Sequence, residues 1–293
     1  MINYYELVKN NPDYFRQFSV KNLMFLHYDC PLKLKRAAKW SEFHYIYFVL
    51  GGKKTLQTAD GRIDLTAGSV VFIRKGACIV EQYFDEPFCV VVFIIPDSFI
   101  VSFLDEYMPD MQASSPQAAR LIIPVHDDLR LSSFYQSIIP YFGSQEEIPE
   151  SLLELKFKEL ILSIIHNPQN EELRNFFLTL RNRSRSPIHE IMEANYAYNL
   201  RLEDYAKLSN RSVSSFKRDF QSLYKTTPGR WLMEKKLAHA KRLLARGDMS
   251  ISDVAFESGF ENKAHFSRLF KQRTGHTPMG YRKMLRERSA IPV

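Results

Sequence analysis

The sequence predicts an α+β chain: an antiparallel β-barrel with flanking helices, then an all-α domain of two helix-turn-helix units joined by a long helix. Three observations carry that prediction. Across residues 44–95, short apolar runs alternate with turn signals, the pattern of a closed or nearly closed antiparallel sheet. Across residues 199–283, a set of residues recurs about fifty positions later, which marks a duplicated supersecondary unit. The charge is also divided. Residues 181–293 hold 23 Lys+Arg against 11 Asp+Glu and residues 1–180 hold 17 against 22, so balances of +12 and −5 make the net +7.

Within the barrel stretch the apolar runs are residues 46–50, 53–58, 63–65, 70–73, 77–84 and 88–95. Gly51-Gly52, Asp60-Gly61, Ala67-Gly68, Lys75-Gly76 and Asp85-Glu86-Pro87 separate them. Asp60-Gly61 suits a two-residue hairpin turn, because both residue types tolerate positive φ. The longest run, 88–95, is far short of the ~20 apolar residues that span a bilayer. The first residues lack the basic-apolar-small layout of a signal peptide. No membrane segment and a cytoplasmic location are the expectations. Cys30, Cys78 and Cys89 are odd in number and form no Cys-x-x-Cys pair, which argues for free thiols rather than a disulfide framework or a zinc ribbon.

A barrel of this kind invites an enzyme reading, a metal-dependent cupin in which several imidazoles and carboxylates converge on one ion. The barrel stretch has no His-x-His pair, and Glu42, Glu81 and Glu86 do not complete a ligand set around His44. His44 is therefore expected to be structural. The barrel is expected to be a sensor or a protein-docking module without catalytic residue, metal or cofactor. Lys33, Lys35, Arg36 and Lys39 cluster just before the first expected strand. A mouth for an anionic effector and an ordinary solvated loop are both open.

After Pro96 the periodicity becomes helical, over residues 97–107, 132–142 and 149–165. Ser151 and Glu154 fit a capping box for the last of these. One apolar face of that helix would pack on the barrel. A second, around Leu153, Phe157, Leu160 and Ile164, could serve a homodimer. Residues 1–180 thus form one expected domain. Residues 181–187, basic and ending in Pro187, read as a linker whose arginines either touch phosphate or are solvated.

The repeat occupies an expected domain of residues 188–293. Ala206 matches Ala255 at an offset of 49, and Phe216, Arg218, Phe220 and Pro228 match Phe266, Arg268, Phe270 and Pro278 at 50. The first unit reads as a helix over 202–208, a turn at Ser209-Asn210-Arg211, and a helix capped by Ser212. On that second helix Val213, Phe216 and Phe220 share one inward face. Ser214, Ser215, Lys217, Arg218 and Gln221 are left outside. In the second unit Ser250 and Asp253 form a capping box, Gly259 supplies the turn, and Asn262 caps the next helix. Phe266, Leu269 and Phe270 face in; Lys263, His265, Ser267, Arg268 and Lys271 face out. Small residues that allow close approach, beside Arg and Lys, suit a helix laid into a major groove of double-stranded DNA. The candidate DNA-binding residues are Ser212, Ser214, Ser215, Lys217, Arg218, Asn262, Lys263, His265, Ser267 and Arg268. Residues 228–245 form the spacer, opened by Pro228 and closed by Gly247. Its Arg230, Lys235, Lys236, Lys241 and Arg242 divide between phosphate contacts and a solvated face.

Ile251-x-x-Val254-Ala255-x3-Gly259-Phe260-x4-His265-Phe266-x-Arg268-x-Phe270-Lys271-x2-Thr274-Gly275-x-Thr277-Pro278 resembles the DNA-binding domain of AraC-type (AraC/XylS) transcription regulators. The resemblance implies base contacts from Ser214, Lys217 and Arg218 and from Lys263, His265, Ser267 and Arg268. His44-Tyr-Ile-Tyr-Phe-Val-Leu-x-Gly52-Lys-Lys and Gly68-Ser-Val-Val-Phe-Ile-Arg-Lys-Gly76 resemble the cupin-like regulatory domain of the branch controlling type III secretion. That likeness implies control by a protein partner, where other branches bind small molecules. It also implies activation through contact with RNA polymerase. The expected function is therefore a sequence-specific DNA-binding transcription regulator, an activator, controlled through its barrel by a small-molecule or protein effector. The alternative is a metal-dependent cupin enzyme with a DNA-binding tail.

Overall fold

The computed structural model describes all of the chain except residues 30–33, 59–60, 114–119, 144–147, 182–186 and 290–293; the side chains of residues 288 and 289 also lie outside the description. The chain divides into two compact units, Met1–Arg185 and Ser186–Val293. Of the expected linker, residues 182–186 lie outside the described residues.

The N-terminal unit opens with β1 (Ile2–Asn3), α1 (Tyr4–Lys9), β2 (Arg16–Val20), β3 (Leu23–Asp29) and β4 (Arg36–Ser41). Then come β5 (His44–Gly51), β6 (Lys54–Thr58), β7 (Gly61–Leu65), β8 (Val70–Ile73), β9 (Gly76–Gln82) and β10 (Cys89–Ile95). One sheet has the order β1-β4-β9-β6-β7. The other is completed by β11 (Ile122–Pro124) in the order β11-β8-β5-β10-β3-β2. Every pairing is antiparallel except the short β1–β4 pair. Of the expected Asp60-Gly61 turn, Gly61 is the first residue of β7 and pairs with Thr58, whereas Asp60 lies outside the described residues.

The six-stranded sheet is apolar on both faces, and its alternation shows why. Tyr45, Tyr47, Val49, Val90, Val92 and Ile94 join the barrel interior. Their neighbours Ile46, Val91, Phe93 and Ile95 join a second core. That core is covered by α2 (Asp97–Tyr107), α3 (Leu129–Ile138), α4 (Glu150–Ile165) and α5 (Glu171–Arg181). Side chains two apart on a strand share a face, so one run of apolar residues serves two cores.

Four expectations are corrected here. The barrel begins at residue 2, well before His44. Arg36 and Lys39 lie on β4, not in a mouth: Lys39 is buried, its Nζ 2.7 Å from the Tyr47 hydroxyl and 4.3 Å from the centre of the Tyr4 ring. Arg36 reaches Gln57 at 3.1 Å; Lys33 lies outside the described residues. Ser151 sits inside α4, which Pro149 caps without a side-chain bond. Glu154 instead pairs with Lys21 at 2.7 Å. Leu153, Phe157, Leu160 and Ile164 are all buried in the chain's own core, because α4 packs between α3, α5 and β2. That face is therefore not available to a second copy.

His44 is held at both ring nitrogens. Its Nδ1 accepts the Lys75 backbone N–H at 3.0 Å, and its Nε2 lies 2.7 Å from Asp97 Oδ1. Lys75 Nζ closes on Asp97 Oδ2 at 2.7 Å. Burial pushes the His44 pKa down, against the pull of Asp97. An Nδ1 that accepts a hydrogen bond is unprotonated, so the ring is neutral with its proton on Nε2, beside Asp97. Burial opposes the charge on Asp97, but His44 and Lys75 outweigh it and hold the carboxyl far below its usual range. Both shifts are depressions, so at intermediate pH the unfolded chain binds more protons and stability falls with acid. The loss begins below the ordinary His value of ~6.5 and steepens below the ordinary Asp value of ~4. The urea midpoint reported by Trp40, in a chain carrying Trp231→Tyr, should drop between pH 7 and 5.5 and again by pH 4. A flat profile would contradict this account of the pair.

The C-terminal unit is α6 (Ile188–Asn195), α7 (Leu202–Leu208), α8 (Val213–Tyr224), α9 (Pro228–Arg246), α10 (Ile251–Glu257), α11 (Lys263–Thr274) and α12 (Pro278–Ser289). The repeat is three helices long, since α9 and α12 each begin at a Thr-Pro step. Thr227 Oγ1 accepts the Arg230 N–H and Thr277 Oγ1 accepts the Gly280 N–H. Phe216 and Phe220 bury in the first repeat as Phe266 and Phe270 do in the second. Phe220 meets Trp231 edge-on at 6.2 Å, and Phe270 meets Tyr281 in the same way at 5.4 Å. The two repeats share a packing solution as well as a pattern.

Candidate nucleic-acid interface

Each repeat presents one short helix, a tight turn, and a capped twelve-residue helix with an apolar inner face. The turn needs a left-handed residue. Asn210 takes φ +54° in the first repeat and Gly259 takes φ +81° in the second; Asn tolerates that region better than other side-chain-bearing residues. Ser212 Oγ accepts the Ser215 N–H at 3.2 Å. Asn262 Oδ1 accepts the N–H groups of Ala264 and His265 at 2.8 and 3.1 Å. These bonds satisfy donors that a helix start leaves orphaned. Ser250 caps α10, accepting the Asp253 N–H at 3.1 Å.

The outer faces form two grooves. Ser214, Lys217 and Arg218 of α8 line one of about 820 Å³, with Gln221 and the Thr227–Gly229 start of α9. Asn262, His265 and Arg268 line another of about 790 Å³, with Asn199 and Lys236. The structure brings these six candidates together, three to a groove. Ser212 and Lys263 are exposed but line neither groove, and Ser215 and Ser267 are half-buried. Outside the grooves, Lys271 is exposed as expected.

The two arginines at matched positions differ. Arg218 approaches Ser215 Oγ at 3.4 Å and Asp219 Oδ1 at 3.3 Å. Asp219 also takes the Arg211 Nε at 3.1 Å, and Arg211, then Arg218, hold its carboxyl below the usual range. The matching position in the second repeat is Leu269, which is apolar. Among the described residues, the Arg268 side chain makes no hydrogen bond or ion pair. The spacer's basic residues are mostly occupied within the unit. Arg230 pairs with Glu234, Lys235 with Glu193, and Arg242 with the Tyr196 hydroxyl, whereas Lys241 is exposed. Lys236 turns inward to Asn199 and to the Gly259 carbonyl, and burial pushes its pKa down to about 8. Among the described residues, no helix is long and apolar enough to cross a membrane, and no three His, Cys, Asp or Glu side chains converge as metal ligands.

Paired helix-turn-helix repeats with cationic outer helices define a DNA-binding transcription regulator, a class that also describes the relatives of this chain. Residues 44–176 match the family model of the ExsA N-terminal regulatory domain, and residues 205–284 match a helix-turn-helix domain model. The chain is 28% identical over 241 residues to the virulence regulon transcriptional activator VirF of Yersinia enterocolitica, spanning 80% of this chain and 86% of that protein. It is 28% identical over 237 residues to the HTH-type transcriptional regulator ExsA of Pseudomonas aeruginosa, spanning 80% and 84%. A crystal structure of an apo ToxT variant from Vibrio cholerae aligns with a TM-score of 0.44 at 18% identity, over 91% of this chain and 99% of that one. These matches support an AraC-type transcription regulator with an ExsA-like N-terminal domain, and the relatives are transcription regulators rather than enzymes.

Proposed function

We propose that this chain is a cytoplasmic transcription activator that lays α8 and α11 into adjacent major grooves of one duplex site. The observation that carries the reading is the matched pair of grooves, one walled by the start of α9 and the other by its middle. Nineteen residues of helix make a rod of ~28 Å, and successive major-groove faces on one side of B-DNA are ~34 Å apart. Allowing for the breadth of each repeat, one chain can read a directional site of ~20 base pairs without a palindrome. Ser214, Lys217 and Arg218 serve one groove, and His265 and Arg268 the other. Ser212 and Asn262 act first as caps, while Ser215, Lys263 and Ser267 are flanking contacts. Activation is carried from the relatives, among them the activator VirF; contact with RNA polymerase to achieve it is what the resemblance to AraC-type regulators implies. Residues 1–180 act as the regulatory domain and 188–293 as the reader, joined by the linker at 181–187, of which Arg181 closes α5 and donates to the Met108 and Pro109 carbonyls rather than to phosphate or solvent.

Selection by the full chain from randomised duplexes should enrich an asymmetric motif of two tracts about one helical turn apart. Affinity for it should fall linearly in log–log against salt, through counterion release. An enriched palindrome, or affinity indifferent to salt, would overturn the reading.

A protein effector is favoured over a small molecule inside the barrel. Tyr4, Tyr28, Lys39, Tyr47 and Lys54 fill the interior pocket they line, leaving about 30 Å³, room for one or two waters. A small molecule retained one-to-one in native mass spectra of the purified chain would count against this.

A further inference from the structure

We propose that Lys236 is a positioning residue that sets the placement of the second recognition helix relative to the first. The inference rests on the two-groove reading above and names a side chain that enforces it.

Three segments meet at this lysine. From the middle of α9 its Nζ donates to Asn199 Oδ1 at 2.9 Å, on the loop leading into α7. It also donates to the Gly259 carbonyl at 2.8 Å, in the turn that launches α11. The same loop and turn touch directly: a Cβ at residue 259 would lie 2.5 Å from the Ala197 carbonyl oxygen and 3.0 Å from Lys236 Cε. One ammonium thus ties the first repeat's entry loop to the second repeat's turn.

The chemistry suits a tie better than a phosphate contact. Lys236 is drawn away from solvent onto two neutral oxygens, beside the Phe260 ring at 5.9 Å. Its burial disfavours the charge, with Glu261 the nearby acid that opposes this. A lysine kept for the DNA backbone would gain more from staying extended and hydrated until phosphate replaced its water. A straight helix fixes the distance between the repeats. Rotation of the second repeat about that rod must be fixed by side contacts, and this junction lies off the rod's axis, where it can resist such rotation.

The test uses the full chain and duplexes carrying the two selected tracts, with the gap between them varied in single base-pair steps. The wild-type chain should prefer one gap by about tenfold or more over its neighbours, since two tethered readers gain affinity only when geometry lets both engage. Measured relative to its own single-tract affinity, Lys236→Met should level the gap profile to within about threefold, and Lys236→Arg should restore the preference. A wild-type preference that persists in Lys236→Met overturns the positioning role alone. A wild-type chain indifferent to the gap overturns the two-groove reading and the role together. Should Lys236→Met lower the urea midpoint, Asn199→Ala, which removes one acceptor, carries the test with the same opposed outcomes.

Discussion

Arg268→Ala should weaken binding to the selected duplex by ~1–3 kcal/mol, about 5- to 150-fold, and erase preference at one base pair. A guanidinium can grip guanine O6 and N7 with two parallel bonds, and alanine removes both. Arg268 is exposed and free of protein partners among the described residues, so it forfeits nothing on reaching a base. Arg218→Ala should cost less. That guanidinium must first leave Ser215 and Asp219, contacts that are weak at an exposed surface but still oppose the move to a base. Titrations of both variants against the selected duplex and a scrambled one decide the matter. A loss for Arg268→Ala that is equal on both duplexes would make it a phosphate contact. A larger loss for Arg218→Ala would reverse the asymmetry between the repeats.

Gly259→Ala should lower folding stability by ~2–5 kcal/mol, combining left-handed strain of ~1–2 with a forced close contact of ~1–3. The contact is the Ala197 carbonyl, backbone that cannot swing aside. Gly275 provides the control. Its φ is +80°, but nothing lies within 4 Å of a Cβ there, so Gly275→Ala should cost only the strain, ~1–2 kcal/mol. Gly259→Asn, which imitates Asn210 of the first repeat, eases the strain and keeps the clash. It should therefore stay nearer to Gly259→Ala than to Gly275→Ala. Equal urea midpoints for Gly259→Ala and Gly275→Ala would mean that the close approach carries no energy.

The repeated half was readable because its signals are local. Caps at Ser212, Ser250 and Asn262, the left-handed turn residues, and phenylalanines at fixed offsets each speak for their own helix. α7 runs over the expected 202–208, and α9 ends one residue beyond expectation. The strands from β5 to β10 were equally legible, since a glycine or proline turn bounds almost every one. β2, β3 and β4 were not. β4 reads Arg-Ala-Ala-Lys-Trp-Ser, poor in the branched and aromatic residues that favour strands. Its lysine points inward to tyrosine rings, which charge patterning alone would not suggest. α5 was missed although Leu173, Phe176, Phe177 and Leu180 keep helical spacing.

The site shows the same division. Outward residues of α8 and α11 follow from helical periodicity, so six of the candidates line grooves. The engagement of Arg218 by Asp219, and of Lys236 by Asn199 and Gly259, depends on where side chains end, which spacing does not encode. A clue existed for Lys236. It shares the spacing of Met233, Leu237 and Ala240 along the buried stripe of α9, an unusual place for a lysine with no role in the fold.

Guanine methylation interference on the selected duplex tests the central claim most directly, because it reads major-groove contacts at N7. Two clusters of interference about one helical turn apart, on one face of the duplex and unequal in strength, are the expected result. A single cluster, or two on opposite faces, would contradict the account.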